Sequence, residues 1–527
     1  MGRGRDGQAL ARGLHAPTPR AGRRLAADQP QRLLRLTGSV AESFVRRLEA
    51  SARRTPDKPA LVWEGGAVTF DELDRRADAF AAILEAKGVQ PGDRIALAIG
   101  NHWAFAVALL AGWKLGATVA PLDPLLKADE RAEILADLRP TLLIDAAIVG
   151  GLGRGGAGGP GRLRHPRRGP TPPSGSPRAA TPEPVHAGLI LYTSGSTGRP
   201  KGAVLSHAAL ELAIESWAGP VMALTHADVV LATLPLAHSF GLNGALLAPL
   251  LVGGTVALVE RFAPETVVEA IRRHRVTVFP GVATMFRRLL DADLAAADLS
   301  SVRIGVSGAA PCPWDLAQEW RARTGIRIVR GYGMTELFRP ISYQAMDPIE
   351  SPDAIGRPVP GVEIRIVDDT GRHLPNGAVG ELLIKSPSAM ESYVNAPEET
   401  REVLVDGWFS TGDLATVNAD GLVTIVGRKR ERILRGGYSV FPPEVEAVLL
   451  AHPAVAEAAV VGMPHPELGE DVAAFVTLRP GLTATPDELV THCRDRLAAF
   501  KYPRQLTVLD ALPRSPTGKV LKSHLRR

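Results

Sequence analysis

Apolar and polar positions along the chain keep two alternating rhythms. Ala60-Leu-Val-Trp-Glu64 is the short apolar run a buried strand supplies, and from Thr69 onward Leu73, Ala77, Phe80 and Leu84 return at helical spacing. Thr69-x-x-Glu72 reads as a capping box for that helix, and Gly88 as its stop. Arg94-Ile-Ala-Leu-Ala-Ile99 predicts another strand and residues 103 to 115 an apolar helix, an alternation that argues for a layered α/β domain. No repeat of solenoid period is present. Between Val229 and Val259 there is no Asp, Glu, Lys or Arg, long enough to raise the question of a membrane span. Pro235, His238, Pro249 and Gly253-Gly254 interrupt it, so a buried strand-helix-strand is the expectation. After Gly427 the rhythm shortens: strands over 458–463, 473–478 and 506–509 and helices over 444–450 and 486–499 predict a small α+β domain.

Composition changes this picture at two places. The chain has 527 residues, which favours several domains, and a net charge of +5 that invites a nucleic-acid reading. Residues 1–36 hold eight Arg against Asp6 and Asp28, and residues 150–180 hold six Arg and no acid. Removing these two excesses of six charges leaves the rest of the chain at about −7, so no basic face for nucleic acid is implied. Residues 1–36 read as a disordered Arg-rich tail, and the Gly, Pro and Arg of 150–180 as a low-complexity insert with little to pack. Out-of-frame translation of a GC-rich gene would produce both compositions. Cys312 and Cys493 are too far apart in sequence to suggest a disulfide framework, and a reducing cytoplasm fits best.

Candidate chemistry concentrates in Leu191-Tyr-Thr-Ser-Gly-Ser-Thr-Gly-Arg-Pro-Lys-Gly202. Glycines let backbone N–H groups approach an anion, the Ser and Thr hydroxyls add donors and Lys201 adds a point charge, a set suited to polyphosphate. The spacing is not that of a Walker loop. Ala187 to Tyr192 ahead of it predicts a buried strand, and Ser206 the cap of a helix behind it, giving strand, loop and helix. Four further blocks follow: Gly331-Tyr-Gly-Met-Thr-Glu336, Ser410-Thr-Gly-Asp-Leu414, Gly427-Arg-Lys-Arg-Glu431 with Gly436-Gly437 behind it, and Pro513-Arg-Ser-Pro-Thr-Gly-Lys519. In order and approximate spacing the set resembles the motifs of the AMP-forming acyl-CoA synthetases, within the adenylating superfamily of acyl-CoA ligases, luciferases and peptide-synthetase adenylation domains.

The resemblance implies a large multi-layer N-terminal adenylating domain over 37–428 and a small mobile C-terminal lid over 429–527. It implies that Thr193, Ser194, Gly195, Ser196, Thr197, Gly198 and Lys201 grip the β- and γ-phosphates of ATP, and that Glu336 holds Mg²⁺. Tyr332 and Gly333, with Gly308, Ala309 and Ala310, would border adenine, Thr335 would touch the α-phosphate, and Asp413 would accept both ribose hydroxyls. Arg428 would add a ribose or phosphate contact, and Lys519 would bridge the substrate carboxylate and the α-phosphate. Rotation about Arg430 would then bring in the Gly436-Gly437 loop for coenzyme A. His238, in Pro235-Leu-Ala-His-Ser-Phe-Gly241, would orient the carboxylate or gate its pocket; a hydrogen-bonded core histidine is the alternative.

The acid itself stays open at this point. Phe240, Leu242, Gly244, Val282, Met285 and Met334 are the pocket neighbours the resemblance implies, and all are uncharged. A medium- or long-chain fatty acid is the first expectation and an aryl acid of the coumarate or benzoate type the second. A dicarboxylate such as malonate is a third, paired by Arg339, although solvent or a phosphate of coenzyme A is the expected surrounding of that residue. No Asp stands in the block where peptide-synthetase domains hold an α-amino group, and the chain ends eight residues after Lys519, so a free-standing ligase of acid, ATP and coenzyme A is expected. Monomer and homodimer are both open, as is peripheral membrane contact. A different class, a nucleotide-binding protein impaired by the insert, predicts ATP-dependent stabilisation without turnover. Resequencing tests the origin of the insert: an uninterrupted reading frame through codons 140 to 185 would sink the out-of-frame explanation.

Overall fold

A computed structural model describes residues 44–148, 187–194, 199–292, 296–347, 350–436, 438–514 and 520–526. The tail and the insert lie outside them. Two large sheets face each other. The first has seven strands in the order Arg327–Val329, Ile304–Ser307, Val278–Gly281, Val229–Ala232, Thr255–Leu258, Pro59–Trp63 and Gly66–Thr69, parallel except for the final hairpin. The second has six, in the order Ser392–Tyr393, Pro200–Ser206, Ala187–Ser194, Thr118–Pro121, Arg94–Ala98 and Leu142–Asp145. Period-2 alternation assigns each side chain its layer: Ile95 and Leu97 join the central core, while Ala96 and Ala98 face an outer cluster with Ile134 and Leu138 of the helix Ala128–Leu138. On the far side of the first sheet Leu231, Ala257 and Phe279 pack with the helices Pro264–His274, Ala283–Asp291 and Trp314–Thr324.

Between the sheets lie the helices Phe70–Ala86, Trp103–Lys114 and His207–Ser216. Residues 104–114 are buried on every side, which is why the sequence there shows no polar stripe. Gly112 permits the close approach: a Cβ there would sit 2.6 Å from Cγ2 of Val119. Lys114 ends this helix in a buried position, its ammonium bonded to Asp74 and Asp78 of the preceding helix. The cap of Phe70–Ala86 is half the expected box. Thr69 accepts from the Glu72 N–H at 3.2 Å, but the Glu72 carboxylate turns instead to Arg76, one helical turn on. Gly88 takes φ 90° past the helix end, as expected of a stop.

The charge-free stretch forms the strand Val229–Ala232, the helical segments Gly241–Leu247 and Ala248–Leu251, and the strand Thr255–Leu258. No helix among the described residues is long and apolar enough to cross a membrane. Behind the phosphate-type loop the strand–loop–helix expectation needs correction. A second strand, Pro200–Ser206, pairs antiparallel with Ala187–Ser194 before the helix begins at His207. Pro200 and Gly202, both poor strand formers, disguise it. Gly202 is required because a Cβ there would stand 2.9 Å from the Tyr192 ring. Ser206 does cap the helix, accepting from the Ala209 N–H at 3.3 Å.

Three smaller sheets complete the chain. One holds Gly331–Met334, Phe338–Ser342 and Arg357–Pro358, and another Glu363–Val367, Gly380–Lys385, Leu404–Val405, Trp408–Val417 and Val423–Arg428. The chain leaves the latter at Arg428, makes a short turn at Lys429–Glu431 and enters the last sheet at Ile433–Arg435. There Val455–His465 and Gly469–Leu478 form a long hairpin, joined by Tyr438–Val440 and Gln505–Val508, with a core of its own around Val445, Leu449, Val460, Val476 and Leu489. The helix expected over 486–499 stops at Arg494, because the chain turns so that Leu497, Phe500 and Tyr502 can pack against that core.

A buried amide ties the two large sheets together. Asn101, buried just past the strand Arg94–Ala98 of the second sheet, donates to the carbonyls of Ala232 (3.2 Å), Leu234 (2.9 Å) and Val259 (3.2 Å) at the ends of first-sheet strands. Its carbonyl accepts from the Leu236 N–H at 3.0 Å. Asn101→Ala would strand these groups in a buried place, so a loss of about 2–4 kcal/mol is expected in urea denaturation against the parent. A change under about 0.5 kcal/mol would show that the sheets do not depend on the amide.

Candidate active site

The residues singled out in the sequence gather into four groups. Thr193 pairs with Lys201 across the hairpin. Ser194 ends its strand, while Gly195, Ser196, Thr197 and Gly198 lie outside the described residues, as do Lys519 and Gly437. The Lys201 ammonium sits 5.4 Å over the Tyr393 ring, and the Tyr393 hydroxyl donates to Oε1 of Glu336 at 2.8 Å. Burial and the nearby carboxylate raise that phenol above its ordinary range, so it remains a donor. Thr335 and Glu336 lie on the turn between Gly331–Met334 and Phe338–Ser342, half-buried.

The second group is Tyr332, Asp413 and Arg428. Asp413 is buried, and each of its oxygens has a partner: the Tyr332 hydroxyl on Oδ2, and Arg428 Nε at 2.7 Å on Oδ1. Asp413 and Arg428 are register partners in adjacent strands, so the backbone sets this pair. Burial raises the Asp413 carboxyl, opposed by Arg428 and the Tyr332 hydrogen bond. Gly333 beside Tyr332 admits no side chain, since a Cβ would lie 2.0 Å from the Phe338 carbonyl.

Aromatic packing defines the third. Phe240 stacks on Trp217 with centroids 5.2 Å apart, and Gly244 lies against the same indole, 3.0 Å from where its Cβ would be. The Arg339 guanidinium lies 4.9 Å over Trp217. The expectation that Arg339 faces solvent or coenzyme A is corrected: it is buried, donating to Ser342 Oγ (2.9 Å) and to the carbonyls of Ser307 (2.9 Å) and Val329 (3.3 Å). Burial alone pushes its guanidinium down from the ordinary range. Gly308 stands between Arg339 and Phe240, and Ala309 and Ala310 beyond it are exposed, Ala309 with φ 63°. Met334 packs half-buried at the edge of the central core. Leu242 is fully buried in that core, whereas Met285 packs against the outer cluster of the first sheet. Val282 stands at the residue before the helix carrying Met285.

His238 makes the fourth group with Asp123: Nε2 and Oδ2 are 3.3 Å apart, and the imidazole is half exposed. That contact holds the Asp123 carboxyl below its ordinary range. Asp123 follows the second-sheet strand Thr118–Pro121 and His238 follows the first-sheet strand Val229–Ala232, so the pair bridges the sheets. Arg430 is exposed on the turn Lys429–Glu431, and Gly436 takes φ 57°.

Sequence reading missed Tyr393, Trp217 and Asp123. Tyrosine was a usable signal. The chain has six, and Tyr192, Tyr332 and Tyr393 each donate a hydroxyl to a carboxylate, of Asp137, Asp413 and Glu336. Asp123, between Leu122 and Pro124, carried no signal beyond a turn, and Trp217 none beyond core.

Comparison with known proteins decides the family. The model for AMP-binding enzymes matches residues 48–394, and that for their C-terminal domain residues 444–519. The chain is an AMP-forming acyl-CoA synthetase. It is similar to a feruloyl-CoA synthase from Amycolatopsis sp, 38% identical over 90% of this chain and 97% of the relative. It is also similar to a long-chain-fatty-acid CoA ligase from Yersinia pestis, 32% identical over 92% and 94%. Among solved structures, ATP-bound MatB from Rhodopseudomonas palustris superposes with a TM-score of 0.82 at 31% identity, covering 92% of this chain and 98% of that one. ATP and coenzyme A are thus the co-substrates of this acyl-CoA synthetase.

The buried position of Arg339 depends on Gly331, whose Cβ would lie 2.4–2.6 Å from the guanidinium. Gly331→Ala must displace that buried cation, and a loss of about 1–3 kcal/mol in denaturant titration is expected. Unchanged stability would mean that the guanidinium has room to move.

Proposed function

We propose that this synthetase activates a flat aromatic acid of the coumarate or benzoate type as its acyl-adenylate and passes the acyl group to coenzyme A. The observation that carries the reading is the Trp217–Phe240 stack beside Gly308 and Gly244, with the Arg339 guanidinium 4.9 Å from the indole centroid. Phe240 is only partly buried, and its ring, backed by the Trp217 indole at an interplanar angle of 25°, suits a planar acid laid against it. The 38% identity to a feruloyl-CoA synthase supports the same choice. A fatty acid is the second reading, supported by the long-chain-fatty-acid ligase at 32% and by the uncharged wall.

In the first half-reaction a carboxylate oxygen bonds to the α-phosphorus of ATP and pyrophosphate leaves; in the second the coenzyme A sulfur bonds to the acyl carbon and AMP leaves. The obstacle in the first is the approach of two anions, so the residues must position and screen. Thr193, Ser194, Gly195, Ser196, Thr197, Gly198 and Lys201 hold the outer phosphates, and Lys519 lies between the carboxylate and the α-phosphate, with Thr335 on the latter. Asp413 accepts the ribose hydroxyls while Arg428 and Tyr332 aim it and oppose the upward effect of its burial, as their bonds to both its oxygens support. Adenine lies between Tyr332 and the Gly308-Ala309-Ala310 strip. His238, held by Asp123, meets the carboxylate. Arg430 is the pivot that exchanges Lys519 for the Gly436-Gly437 loop.

The Glu336 carboxylate fits a hard cation: one oxygen is held by Tyr393, and no group of three His, Cys, Asp or Glu among the described residues competes as an all-protein site. Bound there with the phosphates, Mg²⁺ would neutralise charge on pyrophosphate as it departs.

Pyrophosphate release with ATP and Mg²⁺, measured against acetate, octanoate, palmitate, malonate, benzoate and coumarate with and without coenzyme A, tests the proposal. CoA-stimulated release with benzoate or coumarate is expected, at a kcat/KM on the order of 100-fold above palmitate. Preference for octanoate or palmitate would install the second reading, and preference for malonate would reassign Arg339 as a carboxylate partner.

A further inference from the structure

Residues 390–394 are bonded on both sides. Toward the turn, the Met390 N–H donates to the main-chain carbonyl of Glu336 at 2.8 Å and the Tyr393 hydroxyl donates to its Oε1 at 2.8 Å. Toward the hairpin, the Glu391 N–H donates to the Val204 carbonyl and the Val394 N–H to the Gly202 carbonyl, both at 2.8 Å. Ser392 and Tyr393 are registered against Val204 and Ala203, on the strand that carries Lys201. The Tyr393 N–H is itself held by Thr400 Oγ1 at 2.9 Å, and Asn395 just beyond bonds Asp137 at 2.9 Å, the residue that also receives the Tyr192 hydroxyl. Five consecutive residues therefore lie between the turn carrying Glu336 and the strand carrying Lys201, hydrogen-bonded to each, with the Lys201 ammonium 5.4 Å over the Tyr393 ring.

We propose that Tyr393 is a positioning residue that fixes the Glu336 carboxylate relative to Lys201, so that a divalent cation on the first meets the phosphates on the second. The proposal rests on the roles given above to Glu336 and Lys201. A glutamate on a turn has three rotatable side-chain bonds and can swing away from the phosphates; a phenol donor anchored in a strand next to Lys201 removes that freedom. The ring and the hydroxyl have separate tasks. The ring packs beneath the ammonium, and the hydroxyl alone reaches the carboxylate.

Tyr393→Phe keeps the ring, the strand pairing and the main-chain bracket and removes one hydrogen bond. Calorimetric titration of the full chain with ATP across a series of Mg²⁺ concentrations reads the consequence without turnover. The Mg²⁺ concentration needed for half of the gain in ATP affinity should rise about tenfold, with affinity in the absence of Mg²⁺ unchanged and kcat recovered at high Mg²⁺. Glu336→Gln should raise the same requirement, and the double variant should be no worse than Glu336→Gln alone. A shift in Glu336→Gln with none in Tyr393→Phe would overturn the role of Tyr393 while leaving the metal reading intact. No shift in either would overturn both. Lower melting temperature or weaker Mg²⁺-free ATP binding in Tyr393→Phe, with the Mg²⁺ requirement unmoved, would reduce Tyr393 to a structural part.

Discussion

The candidate site depends on how two sheets that share no strand are held in one relative position: an apolar core packs between them, and a buried carboxamide ties them by direct hydrogen bonds. Asn101 comes from the second sheet and engages the first at three carbonyls and one N–H. The groups it captures flank the loop that leads to His238, so the bond that joins the layers also sets where that loop starts. Asp123 reaches the same loop from the second sheet a few residues further along. An amide suits the place because it offers donors and an acceptor together, and a charged side chain there would face a desolvation cost with no counter-ion.

The layered fold was legible because its strands and helices follow their periods without interruption. Phe70–Ala86 begins at its Thr cap and ends at its Gly, and the charge-free stretch resolves into the strand, helix and strand that its prolines and glycines suggest. Legibility failed where local preference and packing disagree. Pro200 and Gly202 argue against a strand, yet pairing with Ala187–Ser194 makes one, because Ala203 and Leu205 complete the central core. The end of the helix after Pro486 failed for a similar reason: the apolar spacing continues, but Phe500 and Tyr502 are needed elsewhere.

The site shows the same division. Motifs named the residues whose chemistry is visible one at a time, such as Lys201, Glu336 and Asp413. They could not name Trp217 or Tyr393, whose significance is only in what they touch across the fold. Arg339 was seen but misplaced. An arginine three residues past a motif reads as a surface charge, and only the absence of a side chain at Gly331 lets it lie inside, over an indole and against main-chain carbonyls.

Tyr192, Tyr332 and Tyr393 share a further property as partners of carboxylates. A phenol orients an anion without adding positive charge, whereas a lysine or arginine would orient it and cancel it as well. Asp413 has both kinds of partner, Tyr332 and Arg428, and its charge is largely compensated within the protein. Glu336 is gripped by a phenol, which orients the half-buried carboxylate without adding a positive charge beside it.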